Sequence, residues 1–340
     1  MNLALIHYSA APVIGGVERI IEEHARLFAS HGHHVTIYCQ RGTGTRISSA
    51  SELRQHDLVM VHNVFTMPFD LALTEALWQA AADVRMVAWT HDLAAANPDL
   101  APVPAILKKA APGVEYIAIS ALRRRQLRDA FGIENAPIIP NGIDPARILD
   151  LPDNVAAFVE KERLFDSRHI LFHPTRLLRR KNVETSIRLA QAMPGTRLIV
   201  TGAPDPHNPA SAEYARSLRD LAGPETVFAA DYFPIGEREL AALYRLADAL
   251  IFPSHQEGFG LPLLEARIHR IPAIYSEIEP LTELAGEGFP ISPDEAPAAI
   301  AQRLVPWLAA SSGRRSVIAE YAWPTIYQRH IRPLIESVRA

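Results

Sequence analysis

Residues 249–275 dictate what kind of sheet this chain can build. Ala249 to Phe252 is a short apolar run of strand character, and Pro253-Ser254-His255-Gln256-Glu257-Gly258-Phe259-Gly260-Leu261-Pro262-Leu263-Leu264-Glu265-Ala266 follows it as a bend and then a helix. Gly258 and Gly260 permit a backbone path that side chains would block, and Pro262 suits the first position of a helix. A second strand, Pro272 to Tyr275, comes next. Strand, helix and strand in this order make a βαβ unit, whose helix begins at the carboxyl edge of a parallel sheet, where anions bind. Phosphate is the natural guest.

Two carboxylates frame this bend. Glu257 sits just before it and Glu265 one turn into the helix, so both can face a ligand held there at different distances along its length. A carboxylate accepts two hydroxyl hydrogen bonds at once, which lets one grip a sugar and the other a ribose with phosphates between them. An arbitrary pair of glutamates would be read as solvated surface residues. The Gly-Phe-Gly-Leu-Pro setting reverses that reading.

The rest of the chain repeats the alternation of strands and helices, which means parallel sheets covered on both faces. Leu3 to His7 is a strand, Ser9 to Gly16 a loop of small residues, and Val17, Ile20, Ile21, His24, Leu27 and Phe28 recur at helical spacing before Gly32. Strands are expected at His34 to Tyr38, Asp57 to His62, Val84 to Thr90, Tyr116 to Ile119 and Ala136 to Ile139, with helices at Phe69 to Ala82 and Ala121 to Phe131. His62-Asn63 and His91-Asp92 fall at strand ends, the ligand edge of such sheets. After a turn at Ile139-Pro140-Asn141-Gly142-Ile143-Asp144 the pattern restarts with strand Ile170 to His173, helix Val183 to Met193, strand Arg197 to Thr201, a proline-rich loop and helix Ala210 to Leu221. By the same edge rule Gly202, after Thr201, and Tyr232, before a further helix, line a base pocket. An amphipathic helix over 324–338 closes the chain.

At 340 residues the chain is long enough for two domains, and with 48% hydrophobic and 21% charged residues it is ordinary globular material. A net charge of −4 gives no reason to expect nucleic acid. No apolar run approaches the ~18 residues of a membrane span. Cys39 is the only cysteine and no leader pattern opens the chain, so a cytoplasmic location is expected. Arg123, Arg124, Arg125 and Arg128 form a basic cluster, with Lys108 and Lys109 on a nearby helical stretch. Such a helix can meet an anionic lipid surface, but Leu122 and Leu127 offer little apolar surface for insertion, so a solvated face is preferred to peripheral membrane contact.

Glu257-Gly258-Phe259-Gly260-Leu261-Pro262 followed by Glu265-Ala266 resembles the Glu-x7-Glu signature of the retaining nucleotide-sugar glycosyltransferases of family four. Pro140-Asn141-Gly142-Ile143-Asp144 and the Arg176-x4-Lys181 pair are similar to further segments of that family, and the likeness runs from residue 3 to about residue 330. The resemblance implies a GT-B fold: two doubly wound, Rossmann-like parallel-sheet α/β domains facing a cleft. Residues 1–150 would form the acceptor-binding domain, with helix 324–338 packing back on it, and 151–322 the nucleotide-sugar domain.

It also implies roles. Arg176 and Lys181 embrace the donor diphosphate, in a segment where Thr175 and Asn182 stand at positions that more often hold glycine, and Asn182 can cap the following helix. Arg179 and Arg180 are expected to face solvent. Gly15 and Gly16 cover the diphosphate from the other domain, while Gly258, Phe259, Gly260, Leu261 and Glu265 complete the donor side. His91 stands against the donor sugar, with Asp92 beside it as an orienting or acceptor-binding group; His62 and Asn63 join the acceptor side by the strand-end rule alone.

The implied function is transfer of a hexose, from GDP-mannose or UDP-glucose by preference, to a carbohydrate, small polar or lipid-linked acceptor, with retention of configuration. No Asp-x-Asp motif stands at a plausible strand end, and two fixed cations can serve a leaving diphosphate, so neither metal nor cofactor is expected. A nucleotide-sugar epimerase or phosphorylase-like enzyme of the same architecture is one alternative, and a non-catalytic sugar-nucleotide-binding module another.

Overall fold

The computed structural model describes residues 1–47, 50–203, 210–311 and 313–338. Contacts divide the chain into two units, Met1–Ile143 with Glu320–Ala340, and Asp144–Ala319. The proline-rich loop expected after Thr201 falls largely on 204–209, outside the described residues.

In the first unit, β1 (Asn2–Ile6), β2 (His34–Tyr38), β3 (Leu58–His62), β4 (Met86–Thr90) and β5 (Glu115–Ala118) form one parallel sheet in the order β2-β1-β3-β4-β5. Successive side chains of a strand point to opposite faces, and here both faces are apolar. Ala4 and Ile6 enter a core with Leu73 and Leu77 of helix Leu71–Ala80, and Leu3 and Leu5 enter one with Ile21 and Phe28 of helix Gly16–Ser30. That second core also takes Trp323, Ile326, Tyr327, Ile331 and Ile335 from the end of the chain. Those residues lie along one helical path, Trp323–Ile326, a π turn over Tyr327–Ile331, and Arg332–Glu336.

The second unit holds β6 (His169–His173), β7 (Thr196–Val200), β8 (Thr226–Phe228), β9 (Ala249–Phe252), β10 (Ala273–Ser276) and β11 (Phe289–Ile291). Its parallel sheet runs β11-β10-β9-β6-β7-β8. Strand order therefore reverses between β6 and β9, and at such a switch point the loops at the carboxyl ends diverge and leave a ligand crevice. Ile170, Phe172, Leu250 and Phe252 pack one face, while Leu171, Ala249 and Ile251 pack the other. Fold class is as the sequence indicated: two parallel, doubly wound α/β units.

Local expectations fail in informative places. Ala136 to Ile139 is no strand but a single bridge between Ile138 and Ala118, because Pro137 and Pro140 have no N–H to extend a ladder. Helix Leu261–Ile268 begins one residue earlier than expected, so Pro262 takes its second position. Asn182 precedes helix Val183–Ala192 in the left-handed region, φ 51°, and its side chain accepts from the Thr185 hydroxyl at 2.9 Å instead of capping a backbone N–H. A left-handed conformation explains why glycine would suit the same position.

Candidate active site

The switch point of the second unit carries the densest polar cluster predicted from sequence. Lys181, on the loop after β6, places Nζ 2.5 Å from Glu257 Oε1, on the loop after β9. Ser254 is fully buried and donates its hydroxyl to the same oxygen at 2.6 Å. Arg180 Nη1 lies 3.4 Å from Glu257 Oε2 and donates to the Gln256 carbonyl, while its own carbonyl accepts from His255 N at 2.8 Å. The two loops are thus stitched by backbone as well as by charge. Arg179 and Arg180 are exposed, as expected, yet Arg180 also reaches the cluster and Arg179 stacks its guanidinium over the Tyr214 ring.

Lys181 and Glu257 side chains are only 14% and 7% exposed, so this is an ion pair taken largely out of water. Burial pushes the Lys181 pKa down, and the Glu257 carboxylate works against that. Beneath it, His173 at the end of β6 is fully buried with a pKa pushed down to about 3, by burial first and by the Lys181 charge second. An uncharged imidazole there leaves the Lys181 ammonium and the Arg180 guanidinium as the cations around Glu257. Thr175 is buried, its N–H donating to the Thr201 hydroxyl at 2.7 Å, and Arg176 is exposed beside it.

Gly260 opens helix Leu261–Ile268 at φ +106°, a conformation closed to most L-residues. Gly258, Phe259 and Leu261 are exposed at the bend. Half-buried Glu265 accepts from the Tyr244 hydroxyl at 2.6 Å, which fixes one carboxylate oxygen and leaves the other for a ligand. Gly202, φ +69°, donates its N–H to the Thr175 carbonyl and so borders the same loop. Tyr232 is placed elsewhere. Its hydroxyl is spent on Glu162, which also pairs with Arg197 of β7, so the polar end assigned to a base pocket is already engaged.

In the first unit the histidines gather at the carboxyl ends of β1, β3 and β4. His62 Nδ1 lies 3.0 Å from His91 Nε2, with the rings stacked at 5.3 Å. His7 Nδ1 donates to the His62 carbonyl at 2.8 Å. His24 packs edge-on against Trp89 and Trp323. His62 and His24 are fully buried and His91 is 5% exposed. Burial, then the charges of His7 and Arg123, push the His91 pKa down to about 3, so its ring is neutral near pH 7.

Sequence reasoning put His62 and Asn63 on an acceptor; the His62 side chain is fully buried, and the Asn63 side-chain oxygen is engaged by backbone. Asn63, in the left-handed region at φ 63°, uses its side-chain oxygen to accept the backbone N–H groups of His91 and Asp92 at 2.8 and 3.0 Å. Arg123, read as part of a solvated face, instead donates to the His91 carbonyl at 2.6 Å and pairs with Asp92 at 2.5 Å. Asp92 keeps half its side chain exposed. At the start of helix Gly16–Ser30, Gly15 lies so close to the Glu18 carboxylate that a Cβ would fall 2.1 Å from it, and Gly16 has open space. Glu18 accepts from Ser9 at 2.5 Å. Arg123, Ser254, Tyr244 and Glu18 carried no signal beyond residue type, since only the folded loops bring them to these partners. Among the described residues, no helix is long and apolar enough to cross a membrane.

Residues 155–322 match the family model for glycosyl transferases group 1. The serotype-specific mannosyltransferase WbdA of Escherichia coli is 44% identical over 75 residues, 22% of this chain and 9% of that protein. The D-inositol 3-phosphate glycosyltransferase of Kineococcus radiotolerans is 30% identical over 175 residues, 48% of this chain and 39% of the relative. The chain therefore matches well under half the length of these two curated relatives. Sucrose-phosphate synthase from Thermosynechococcus elongatus aligns over 99% of both chains with 21% identity and a TM-score of 0.38.

Proposed function

We propose that this chain, whose residues 155–322 match the group 1 glycosyl transferases, moves a hexose from a nucleotide-diphosphate sugar to an acceptor hydroxyl. The observation that carries the reading is the Lys181–Glu257 cluster at the β6/β9 switch point, beside a helix that starts on a left-handed glycine. A departing nucleoside diphosphate gains negative charge. Arg176 and Lys181 stabilise that charge more in the transition state than in the ground state, and the helix start adds backbone N–H groups.

In this reading Glu257 holds sugar hydroxyls and Glu265, oriented by Tyr244, holds the ribose. His91 meets the substrate as a neutral imidazole, which adds no positive charge where the sugar itself becomes positive. Transfer proceeds on one face of the sugar, with retention, the leaving phosphate helping to take the acceptor proton. Arg176 and Lys181 make a metal unnecessary. A mannosyl donor is supported by the likeness to the mannosyltransferase, so GDP-mannose leads and UDP-glucose follows. Buried, unpaired Cys39 is consistent with a reducing, cytoplasmic setting.

Thermal shift against a panel of nucleotide-sugars tests the donor, since a ligand that binds only the folded state raises its stability. Transfer assays on the stabilising donor, with and without acceptor, then separate transferase from epimerase. Arg176→Ala should cut turnover by ~10²-fold or more. Unchanged turnover would refute the phosphate assignment.

A further inference from the structure

The pairing of two neutral imidazoles in the first unit leaves a question of protons. His62 Nδ1 and His91 Nε2 are 3.0 Å apart, so one nitrogen carries hydrogen and the other a lone pair. Both rings are neutral near pH 7, because burial pushes both pKa values down. Only two arrangements remain.

If His91 donates from Nε2, His62 must carry its own hydrogen on Nε2. That nitrogen is sealed from solvent and has no partner, so this arrangement buries an orphan N–H. If His62 donates from Nδ1, the sealed Nε2 is a bare lone pair, the less costly of the two orphans. Donation from His62 forces the hydrogen of His91 onto Nδ1. His91 Nδ1 is not among the sealed, unpartnered atoms, and His91 keeps the 5% exposure of its residue while His62 keeps none.

We propose that His62 is a positioning residue that sets the tautomer of His91, so that His91 offers an N–H at Nδ1 to a hydroxyl oxygen of the substrate. The backbone supports this geometry. Asn63 Oδ1 accepts from His91 N, Arg123 holds the His91 carbonyl, and the His7 N–H holds the His62 carbonyl, so the backbone that carries both rings is fixed. His24 backs the His62 ring at 5.5 Å and Trp89 stacks on it at 5.9 Å. The second half of the proposal rests on the reading of His91 as a substrate-contacting group; the tautomer itself does not.

The test uses the full chain labelled with nitrogen-15 histidine near neutral pH, without ligand, and long-range proton–nitrogen correlation spectra assigned through single substitutions. His91 should show a protonated Nδ1 and a bare Nε2; a protonated Nε2 overturns the proposal. In His62→Phe, which keeps a stacked ring but cannot donate, His91 Nε2 loses the hydrogen bond it accepts and its nitrogen-15 signal should shift to that of an unbonded lone pair. An unchanged His91 pattern in that variant also overturns it. With the best donor, His62→Phe should lose about ten-fold in kcat with donor KM within about two-fold, and His62→Gln, whose amide can donate, should regain most of the loss. Equal losses in the Phe and Gln variants would leave only a packing role and refute positioning. If His62→Phe does not fold, the wild-type spectrum and the Gln variant decide. His91→Ala with full turnover would instead strike down the substrate contact while leaving the tautomer assignment readable.

Discussion

Lys181 Nζ and Glu257 Oε1, 76 positions apart in sequence, meet at 2.5 Å where β6 and β9 part, and Ser254 donates to the same carboxylate oxygen. The pair means that the ammonium assigned to a diphosphate is occupied by a carboxylate of its own protein. On the proposed reading, a donor would take over Lys181 and give Glu257 hydroxyl groups in return.

Removing one member of this pair should destabilise as well as inactivate. Lys181→Met leaves a mostly buried Glu257 with Ser254 and the half-exposed Arg180, and breaking such a pair costs up to about 3–5 kcal/mol. Urea unfolding of Lys181→Met, Glu257→Gln and the double variant should show a double cost smaller than the sum of the singles. Strict additivity would mean the contact contributes nothing to folding.

Glycine is required at 260 and optional at 258. Gly260 sits at φ +106° and an added Cβ would lie 2.6 Å from Leu281 Cδ2, so Gly260→Ala should cost about 1–3 kcal/mol. At Gly258 an added methyl would meet nothing within 4 Å and φ is not positive, so Gly258→Ala should stay within about 0.5 kcal/mol. Thermal melts of the two variants make the comparison.

Acid should unfold the protein through its histidines. Burial holds His24, His91 and His173 to a pKa of about 3, against 6.5 for an ordinary imidazole. Below pH 6.5 the unfolded chain takes up protons that the folded one refuses. Stability is therefore full above that pH and declines toward pH 3, by at most about 1.4 kcal/mol per pH unit for each group. His24→Phe should flatten the decline between pH 6.5 and 5, read as unfolding midpoint against pH.

Asp248 should be the costliest single carboxylate of the second unit. Its side chain is 1% exposed and accepts from Arg315 Nε at 2.6 Å, Ile170 N at 2.8 Å and Arg314 Nη2 at 3.0 Å. Asp248→Asn strands a buried guanidinium and should cost about 3–5 kcal/mol in urea unfolding.

The alternation of strands and helices, and the bend at 257–265, were legible because their physics is local: strand runs, a glycine turn, a proline near a helix start. Strand order was not, although it is the reversal between β6 and β9 that places Lys181 beside Glu257. Arg123 illustrates the same limit. Its neighbours in sequence are exposed arginines, and only the loop after β4 turns it into a clamp on His91 and Asp92. His62 looked like a ligand group because it ends a strand, yet the depth of a side chain at such an end depends on what covers it, here His24 and Trp89. Tyr232 shows the converse, an exposed ring whose hydroxyl a remote glutamate had already claimed.

Trp323, Ile326 and Ile331 complete a core whose other members begin at Leu3. During synthesis that core must wait until Ile335 has been made, whereas Asp144–Ala319 has all its own strands in hand earlier. The second unit is thus free to mature first on the ribosome, and a nascent chain stopped before Trp323 would lack the residues that complete the core around Leu5, Phe28 and Trp89, a natural target for chaperones.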